Sequence, residues 1–425
     1  MPIVSRREFF GTAAAGVALS TAAVAQAQPQ AQAQAKPAAT GLKSLTTDAK
    51  PITVAERQAR LAKLQGLMAQ QKIAAFLVEA GTSLEYFTGV KWWRSERTTA
   101  ALIPAQGRTV VVTPYFEEPS IRETLQVDAD VRSWKEDQSP FELIAGAMRE
   151  HAPADGVLAI EPTTRYFIIE RVGKLLGTGR SFVAGDALVG ACRMHKTASE
   201  LALMQAANNV TIAAIRYLHG QVETGIKASD LQKILMDATA QLGGEPDFSL
   251  VLLNEASAFP HGSVKPQSVR VGSTILIDST CVVHGYQADI SRTWVHGEAS
   301  KRQREVWGTV QRGQQLALET AKLGIPVGTI DKTVRGYYES LGWSKDYQLP
   351  GLSHRTGHGI GMDVHESPYL VRSDTTPLEA GMCFSNEPGL YMPGEFGIRL
   401  EDCWHMTEQG PKTFTPLARS LEDPV

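Results

Sequence analysis

The apolar run Thr274-Ile275-Leu276-Ile277 ends in a carboxylate, Asp278, and this junction of buried strand and charge constrains the chain more than any other feature. A continuous apolar run reads as a buried strand, so Asp278 should be partly buried with it. A turn around Val283-His284-Gly285 follows, and a second strand from Tyr286 to Val295 carries Asp289. If the hairpin is centred on Val283-His284, the two aspartates face each other. If it is centred on His284-Gly285, they are offset along neighbouring strands but still share one face. Two glutamates repeat the device. Glu387 closes the run Cys383-Phe384-Ser385-Asn386 just before the breaker pair Pro388-Gly389, and the returning strand from Gly397 to Cys403 puts Arg399, Glu401 and Cys403 on one face. Four carboxylates converging in a partly buried site stay ionised only if cations neutralise them, and two divalent ions balance four charges.

The stretch Pro350 to His365, PGLSHRTGHGIGMDVH, holds His354, His358 and His365, three of the ten histidines in the chain. Gly357, Gly359 and Gly361 surround the middle one and let other groups approach the backbone closely. Imidazole is the commonest metal-ligating side chain, so His358 can add a nitrogen donor to the carboxylates. Mixed oxygen and nitrogen donors suit manganese, iron, cobalt or zinc better than calcium. Two such ions about 3.5–4 Å apart polarise a carbonyl and activate a water together. The bland alternatives are a surface loop with chance histidines and a pair of solvated aspartates. The converging carboxylates argue against the first, and the apolar run before Asp278 argues against the second.

At 425 residues the chain is long for a single core, so two folded domains are expected. The net charge of −3, with no basic block, gives no sign of nucleic-acid binding. Ser5-Arg6-Arg7-Glu8-Phe9-Phe10 opens a short Ala/Gly-rich apolar run that resembles a twin-arginine export signal, with cleavage sites near Ala25 or Ala27. The run is too short to span a bilayer comfortably. The expected order is a signal over 1–27, a disordered Gln/Ala/Pro linker over 28–50, an α/β domain over 51–190 and a second domain over 191–425. Export to the periplasm, with no stable membrane association after signal removal, follows from that reading. Cys192, Cys281, Cys383 and Cys403 lack the CxxC spacing of a zinc site. Cys383 with Cys403 is the pair to check for a disulfide, with free buried thiols as the alternative.

In the first half a helix over Ala55 to Gln71 precedes a buried strand, Ala74-Ala75-Phe76-Leu77-Val78. Strand patterns recur at Ala100–Ile103, Thr109–Thr113 and Val157–Ile160, with helical stretches at Phe141–Arg149 and Thr164–Leu176, the alternation of an α/β domain. The loop Thr88 to Arg97 carries Trp92-Trp93 among basic residues, which suits a ligand-facing lip or a half-buried seam between domains. In the second half Thr197-Ala198-Ser199-Glu200 and Ser300-Lys301-Arg302-Gln303 read as capping boxes, and Ser229 and Thr329 as further caps. Helices, strands, helices and strands in that order predict α+β, with helices packed on one curved, mostly antiparallel sheet.

With Asp278, Asp289, His358, Glu387 and Glu401 assembled, the chain resembles the pita-bread metallopeptidases: methionine aminopeptidase, aminopeptidase P and prolidase, with creatinase as the metal-free relative. IDSTCVVHGYQADISRTW, HRTGHGIGMDVHESP, FSNEPGLY and GIRLED carry the resemblance, which extends from about residue 51 to the end. The α/β domain ahead of the catalytic half resembles that of aminopeptidase P and prolidase. The fold implied is a creatinase-like N-terminal domain followed by a pita-bread catalytic domain. The five residues named would hold two divalent ions, manganese first, with cobalt, zinc or iron open. Asp278 would chelate one ion, His358 and Glu387 the other, and Asp289 and Glu401 would bridge. The resemblance further implies Glu387 as proton shuttle, His261 (in Pro260-His261-Gly262) and His365 on the scissile carbonyl, and His354 lining the pocket beyond it. Arg399 is divided between contact with substrate and pairing with a ligand carboxylate. The substrate implied is a peptide with proline second, and a homodimer or higher oligomer is implied as well. Asp278-Ser279-Thr280 departs from the Asp-X-Gly of many relatives. Two rivals stand beside this reading: a non-peptidase enzyme on the same cage, such as a lyase for a small sulfonium compound, and an inactive binding module. Retained His261, His354 and His365 argue against the first, and five intact ligands against the second.

Overall fold

The computed structural model describes residues 41–425. The arginine pair and the apolar run after it lie outside the described residues, as does most of the expected linker. Residues 41–50 do not behave as a disordered linker. The Leu45 N–H donates to the Leu242 carbonyl at 2.8 Å and the Thr46 hydroxyl to the Gly243 carbonyl at 2.9 Å, so the segment is strapped to the catalytic half.

The first half runs α1 (Val54–Gln70), β1 (Ile73–Glu79), α2 (Thr82–Thr88), β2 (Ala100–Pro104), β3 (Thr109–Pro114), α3 (Glu118–Thr124), β4 (Ala129–Trp134), α4 (Pro140–His151), β5 (Val157–Ile160), α5 (Tyr166–Leu176), β6 (Phe182–Ala184) and α6 (Asp186–Arg193). The strands form one mixed sheet in the order β4-β3-β2-β1-β5-β6. Alternation along β1 decides its two faces. Ala75 and Leu77 join a core with Leu102, Ile144 and Val172, whereas Phe76 and Val78 join a larger core described below. The short strands β4 and β6 have no strong sequence signal, because edge strands need less apolar surface than central ones.

The second half runs α7 (Ala198–His219), α8 (Ala228–Gln241), β7 (Glu245–Leu253), a 3₁₀ turn (Asn254–Ala258), β8 (Ser273–Val283), β9 (Tyr286–His296), α9 (Lys301–Thr320), α10 (Gly328–Ser340), β10 (Gly357–Gly359), β11 (Glu366–Leu370), β12 (Cys383–Asn386), β13 (Gly389–Tyr391), β14 (Gly397–Arg399), β15 (Asp402–Thr407) and β16 (Gly410–Thr413). The α+β reading holds and the pairings are antiparallel. The expected single sheet is instead divided into β7-β8-β9, β11-β10-β12-β15-β16 and the pair β13-β14. The chain leaves the ladder at Leu400-Glu401, between β14 and β15, and this break separates the small pair from the five-stranded sheet.

Helices α7 and α9 begin with full capping boxes, at Thr197/Glu200 and Ser300/Gln303. Two expected caps are displaced. Ser229 and Thr329 lie inside the first turns of α8 and α10, whose N-cap positions are Lys227 and Val327 with no side-chain cap bond. The backbone enters these two helices earlier than the polar residue suggests, which costs little because first-turn N–H groups also reach water. Cys383 and Cys403 are free and buried, as are Cys192 and Cys281. Cys383 pairs with His405 and Cys403 with Ser385 across β12 and β15, so the two thiols occupy different rungs.

The two halves share one core. Leu64 and Met68 of α1, Phe76 of β1 and Phe87 of α2 pack with Leu203 and Met204 of α7 and Ile275, Ile277 and Trp294 of β8 and β9. Arg60 crosses the seam, its guanidinium donating to Tyr286 Oη at 2.7 Å and Glu200 Oε1 at 3.1 Å in a buried setting. Among the described residues no helix is long and apolar enough to cross a membrane. Thr197→Ala should lower unfolding stability by about 1 kcal/mol, whereas Ser229→Ala, in an exposed first turn without a cap bond, should change it by less than about 0.5 kcal/mol. Urea denaturation of the two variants separates a true cap from a cap by sequence only.

Candidate metal centre

Strands β8 and β9 meet in a tight turn in which His284 (φ 48°) and Gly285 (φ 86°) both take positive φ. That conformation matches the twist of a two-residue hairpin, and glycine and histidine are among the residues that reach it. The hairpin is therefore centred on His284-Gly285. Asp278 sits opposite Ser291 and Asp289 opposite Thr280, two positions apart on one face. Glu387 follows the end of β12, its N–H held by the Thr356 carbonyl at 2.9 Å. Glu401 occupies the break between β14 and β15. His358 is the central residue of β10, its N–H donating to Ser385 Oγ at 3.0 Å.

These residues converge. Ligand atoms of Asp278, Asp289 and Glu401, of His358, Glu387 and Glu401, and of Asp289, His358 and His365 form three groups whose members lie within 4.8 Å of one another. His358 Nε2 is 3.6 Å from Asp289 and 3.5 Å from Glu387. Its Nδ1 lies 3.0 Å from the Gly359 carbonyl, which places the ring proton there and leaves the Nε2 lone pair facing the carboxylates. Burial pushes the His358 pKa down and keeps the ring neutral, as a ligand must be.

Burial, with the charges of Asp278 and Glu387, holds Asp289 well above the usual carboxylate range. Glu401 is likewise raised by burial and by Asp289, Glu387 and Asp278, and burial raises Glu387. Protein cations do not resolve this crowding. Arg399 is committed to one side, its guanidinium donating to Asp278 at 2.6 Å, Ser291 Oγ at 2.9 Å, Tyr391 Oη at 3.1 Å and the Pro260 carbonyl at 3.3 Å. The Ser291 hydroxyl lies 3.0 Å from Asp278 and 2.7 Å from Glu401, one proton between two acceptors. Glu401 Oε1 is buried without any partner. An orphaned carboxylate oxygen among three other carboxylates and an imidazole lone pair fits divalent metal ions, and this oxygen–nitrogen donor set suits transition metals.

The nine site residues expected from the sequence fall into three positions. Asp278, Asp289, His358, Glu387, Glu401, Arg399, His261 and His365 line one cavity of about 330 Å³, together with Phe248, Thr280 and Val364. His261 and His365 are exposed at its mouth, and the His358 and His365 rings stand 4.2 Å apart, edge to face. His354 is not among the lining residues, although its Nδ1 lies 3.8 Å from Glu387 Oε2. Its Nε2 meets Tyr391 Oη at 2.7 Å and its Nδ1 the Arg355 carbonyl at 2.7 Å, and burial with the Arg399 charge lowers its pKa to about 3. Arg399 pairs with the Asp278 carboxylate and also lines the cavity.

Ser291, Tyr391, Thr280 and Phe248 went unassigned in the sequence. Ser291 was within reach of the period of two, two positions after Asp289 on the same face. Tyr391 was not, because its role depends on β13 folding back beside β14. Cys403 brackets Asp289, its Sγ 3.2 Å from both the backbone nitrogen and the carbonyl oxygen of that residue.

Residues 202–408 match the profile of metallopeptidase family M24, and residues 60–195 match the creatinase/prolidase N-terminal domain. The Xaa-Pro dipeptidase of Lactobacillus helveticus is 30% identical over 346 residues, spanning 80% of this chain and 92% of that protein. The probable dipeptidase PepE of Mycobacterium tuberculosis (strain ATCC 25618 / H37Rv) is 29% identical over 360 residues, spanning 83% and 92%. Among solved structures, dipeptidase PepE from Mycobacterium ulcerans superposes with a TM-score of 0.77 at 28% identity, covering 86% of this chain and 97% of that one. X-Pro aminopeptidase from Thermotoga maritima superposes with a TM-score of 0.75 at 26% identity, covering 85% and 98%. The chain belongs to metallopeptidase family M24, with a creatinase-type N-terminal domain and a pita-bread catalytic domain.

Arg399→Met should weaken divalent-metal affinity by about 10–100-fold, because Asp278 loses its orienting partner, and Arg399→Lys should restore part of it. Metal titration followed by calorimetry measures both. Exhaustive chelation of the wild-type protein should lower its melting temperature by several degrees, since ions that bind only the folded state stabilise it by mass action. Differential scanning calorimetry with and without added manganese reads the shift.

Proposed function

We propose that this protein is a metal-dependent exopeptidase that hydrolyses Xaa-Pro bonds, releasing the first residue of peptides or dipeptides with proline second. The support is one observation: five residues able to ligate metal, one of them clamped by an arginine, and two histidines at the mouth line a single cavity large enough for a small peptide end. Relatives named Xaa-Pro dipeptidase, and solved neighbours named prolidase and X-Pro aminopeptidase, supply the substrate class.

In this reading Asp278, Asp289, His358, Glu387 and Glu401 hold two divalent ions, with manganese the first choice. Such ions supply Lewis-acid polarisation and a water of lowered pKa when bound. The chain's own groups do the rest. His261 and His365, at the mouth, meet the scissile carbonyl and the negative charge that develops on its oxygen. Glu387 takes a proton from the attacking water and passes it to the proline nitrogen, which leaves as the amine. Arg399 fixes the Asp278 carboxylate, and the Arg399–Tyr391–His354 hydrogen-bond chain holds that wall rigid. We further assign residues 1–27 to a twin-arginine signal, with export to the periplasm, the folded domains to 51–190 and 191–425, and the working form to a homodimer.

Purified protein loaded with manganese should release the first residue from Ala-Pro and Ala-Pro-Ala, and a chelator should abolish the release. Failure to cleave any Xaa-Pro substrate, with metal bound, would overturn the assignment. Glu387→Gln should retain near-normal metal content while turnover falls about a hundredfold. Unchanged turnover would remove the proton-shuttle role.

A further inference from the structure

The metal centre does not account for the threonine of Asp278-Ser279-Thr280. Where many relatives have glycine, this chain has a side chain that lines the cavity and stands directly opposite Asp289 across β8 and β9. The ladder on the other side of β8 breaks at the same residue. Pro246 of β7 pairs with Cys281 and Ser249 with Ser279, so Asp247 and Phe248 together face the single Thr280. Two residues against one make a β-bulge, a device that bends a strand and re-aims a side chain. Here the re-aimed side chain is Phe248, which lines the cavity with Thr280.

The bulge is held at both of its inner positions. Ser249 Oγ lies 3.3 Å from Ser279 Oγ, and the Ser249 carbonyl accepts from Gln232 Nε2 at 2.6 Å. The Phe248 N–H donates to Thr280 Oγ1 at 2.9 Å in place of a ladder carbonyl. A backbone N–H left unpaired there would cost free energy, so the hydroxyl holds the bulge, and with it the ring, in one place. Glycine at this position would offer no acceptor, and valine would offer the shape without one. Thr280 is 2% exposed and Phe248 44% exposed. The hydroxyl therefore sits at the closed end of the cavity, and the ring forms the wall that rises towards the mouth.

We propose that Thr280 is a positioning residue for substrate specificity: through its hydroxyl it fixes Phe248 as a rigid wall against the first residue of the substrate, and so restricts this enzyme to small first residues. The proposal rests on the Xaa-Pro reading. An exopeptidase that releases one residue encloses that residue beyond the scissile bond, whereas the proline side faces the mouth, where a longer peptide leaves. The first side chain therefore meets the closed end, between Thr280 and Phe248. The threonine methyl group takes up further space in a cavity of only about 330 Å³.

The experiment measures kcat/KM for Gly-Pro, Ala-Pro, Leu-Pro and Phe-Pro on the metal-loaded full chain, with Thr280→Ser, Thr280→Val and Thr280→Gly beside wild type. The ratio between Ala-Pro and Phe-Pro is read within each protein, so a general loss of active enzyme cancels. Wild type should favour Ala-Pro. Thr280→Val and Thr280→Gly should lower that preference about fivefold, the size of one lost hydrogen bond, mainly through the KM of Phe-Pro, while Thr280→Ser keeps it. An unchanged ratio in Thr280→Val and Thr280→Gly, or an equal fall in Thr280→Ser, would overturn the proposal. Hydrogen exchange of the Phe248 amide tests the hydroxyl's hold without substrate: faster exchange in Thr280→Val with a wild-type rate in Thr280→Ser sustains it, and equal rates in all three overturn it. If wild type cleaves none of the four dipeptides, the Xaa-Pro reading has failed separately. Calorimetric titration with free alanine and free phenylalanine then decides the size selection: phenylalanine binding tightened in Thr280→Val sustains it, and equal binding to both proteins overturns it.

Discussion

Mutual repulsion among Asp278, Asp289, Glu387 and Glu401 is the constraint on which the catalytic half depends. Each is brought in by a different backbone device: a buried strand, its hairpin partner, a strand end before Pro388-Gly389, and a break between β14 and β15. Left alone, four such carboxylates would protonate or push apart, as the raised pKa values of Asp289, Glu387 and Glu401 indicate. Arg399 and Ser291 relieve Asp278 and one oxygen of Glu401, and leave the other Glu401 oxygen bare. The protein thus stabilises the outer side of the cluster and leaves the inner side to divalent ions, the arrangement expected where the folded state is built around metal.

The histidines show how environment divides one residue type into several. His358 is buried with its lone pair turned to the carboxylates. His354 has both ring nitrogens occupied and acts as part of the wall. His261 and His365 sit at the mouth, where ring nitrogens can meet a ligand. Their spacing in the chain carries none of this; the positions of β10 and Tyr391 decide it.

Legibility in the sequence followed locality. Asp278 and Asp289 could be placed on one face because a hairpin is a local object with a period of two. Only the register was open, and the positive φ of His284 and Gly285 selects the offset pairing. The capping boxes at Thr197 and Ser300 were legible because Glu200 and Gln303 reciprocate the cap. Ser229 has Gln232 three residues on, the same pattern, but that side chain donates to the Ser249 carbonyl instead; Thr329 has Lys332 there, which cannot accept, and both helices start earlier. The division into three sheets was not legible, because Leu400-Glu401 looks like ordinary strand, and the break there is visible only in the separate pairings of β14 and β15. Tyr391 was equally hidden, since its contact with Arg399 depends on β13 folding back beside β14.

The shared core of the two halves has a meaning of its own. Sequence profiles divide this chain into two modules, but Leu64, Met68 and Phe87 are packed into the same apolar cluster as Ile277 and Trp294, and Arg60 of the first half donates across the seam to Tyr286 and Glu200 as well as to the Tyr86 carbonyl on its own side. The N-terminal half is therefore not a detachable accessory. Cutting the chain between α6 and α7 would expose an apolar face on each piece and strand a buried guanidinium. Recombination with a related enzyme would succeed only if α1, α2 and α7 travel with the β8-β9 hairpin, because the unit of inheritance here is the seam.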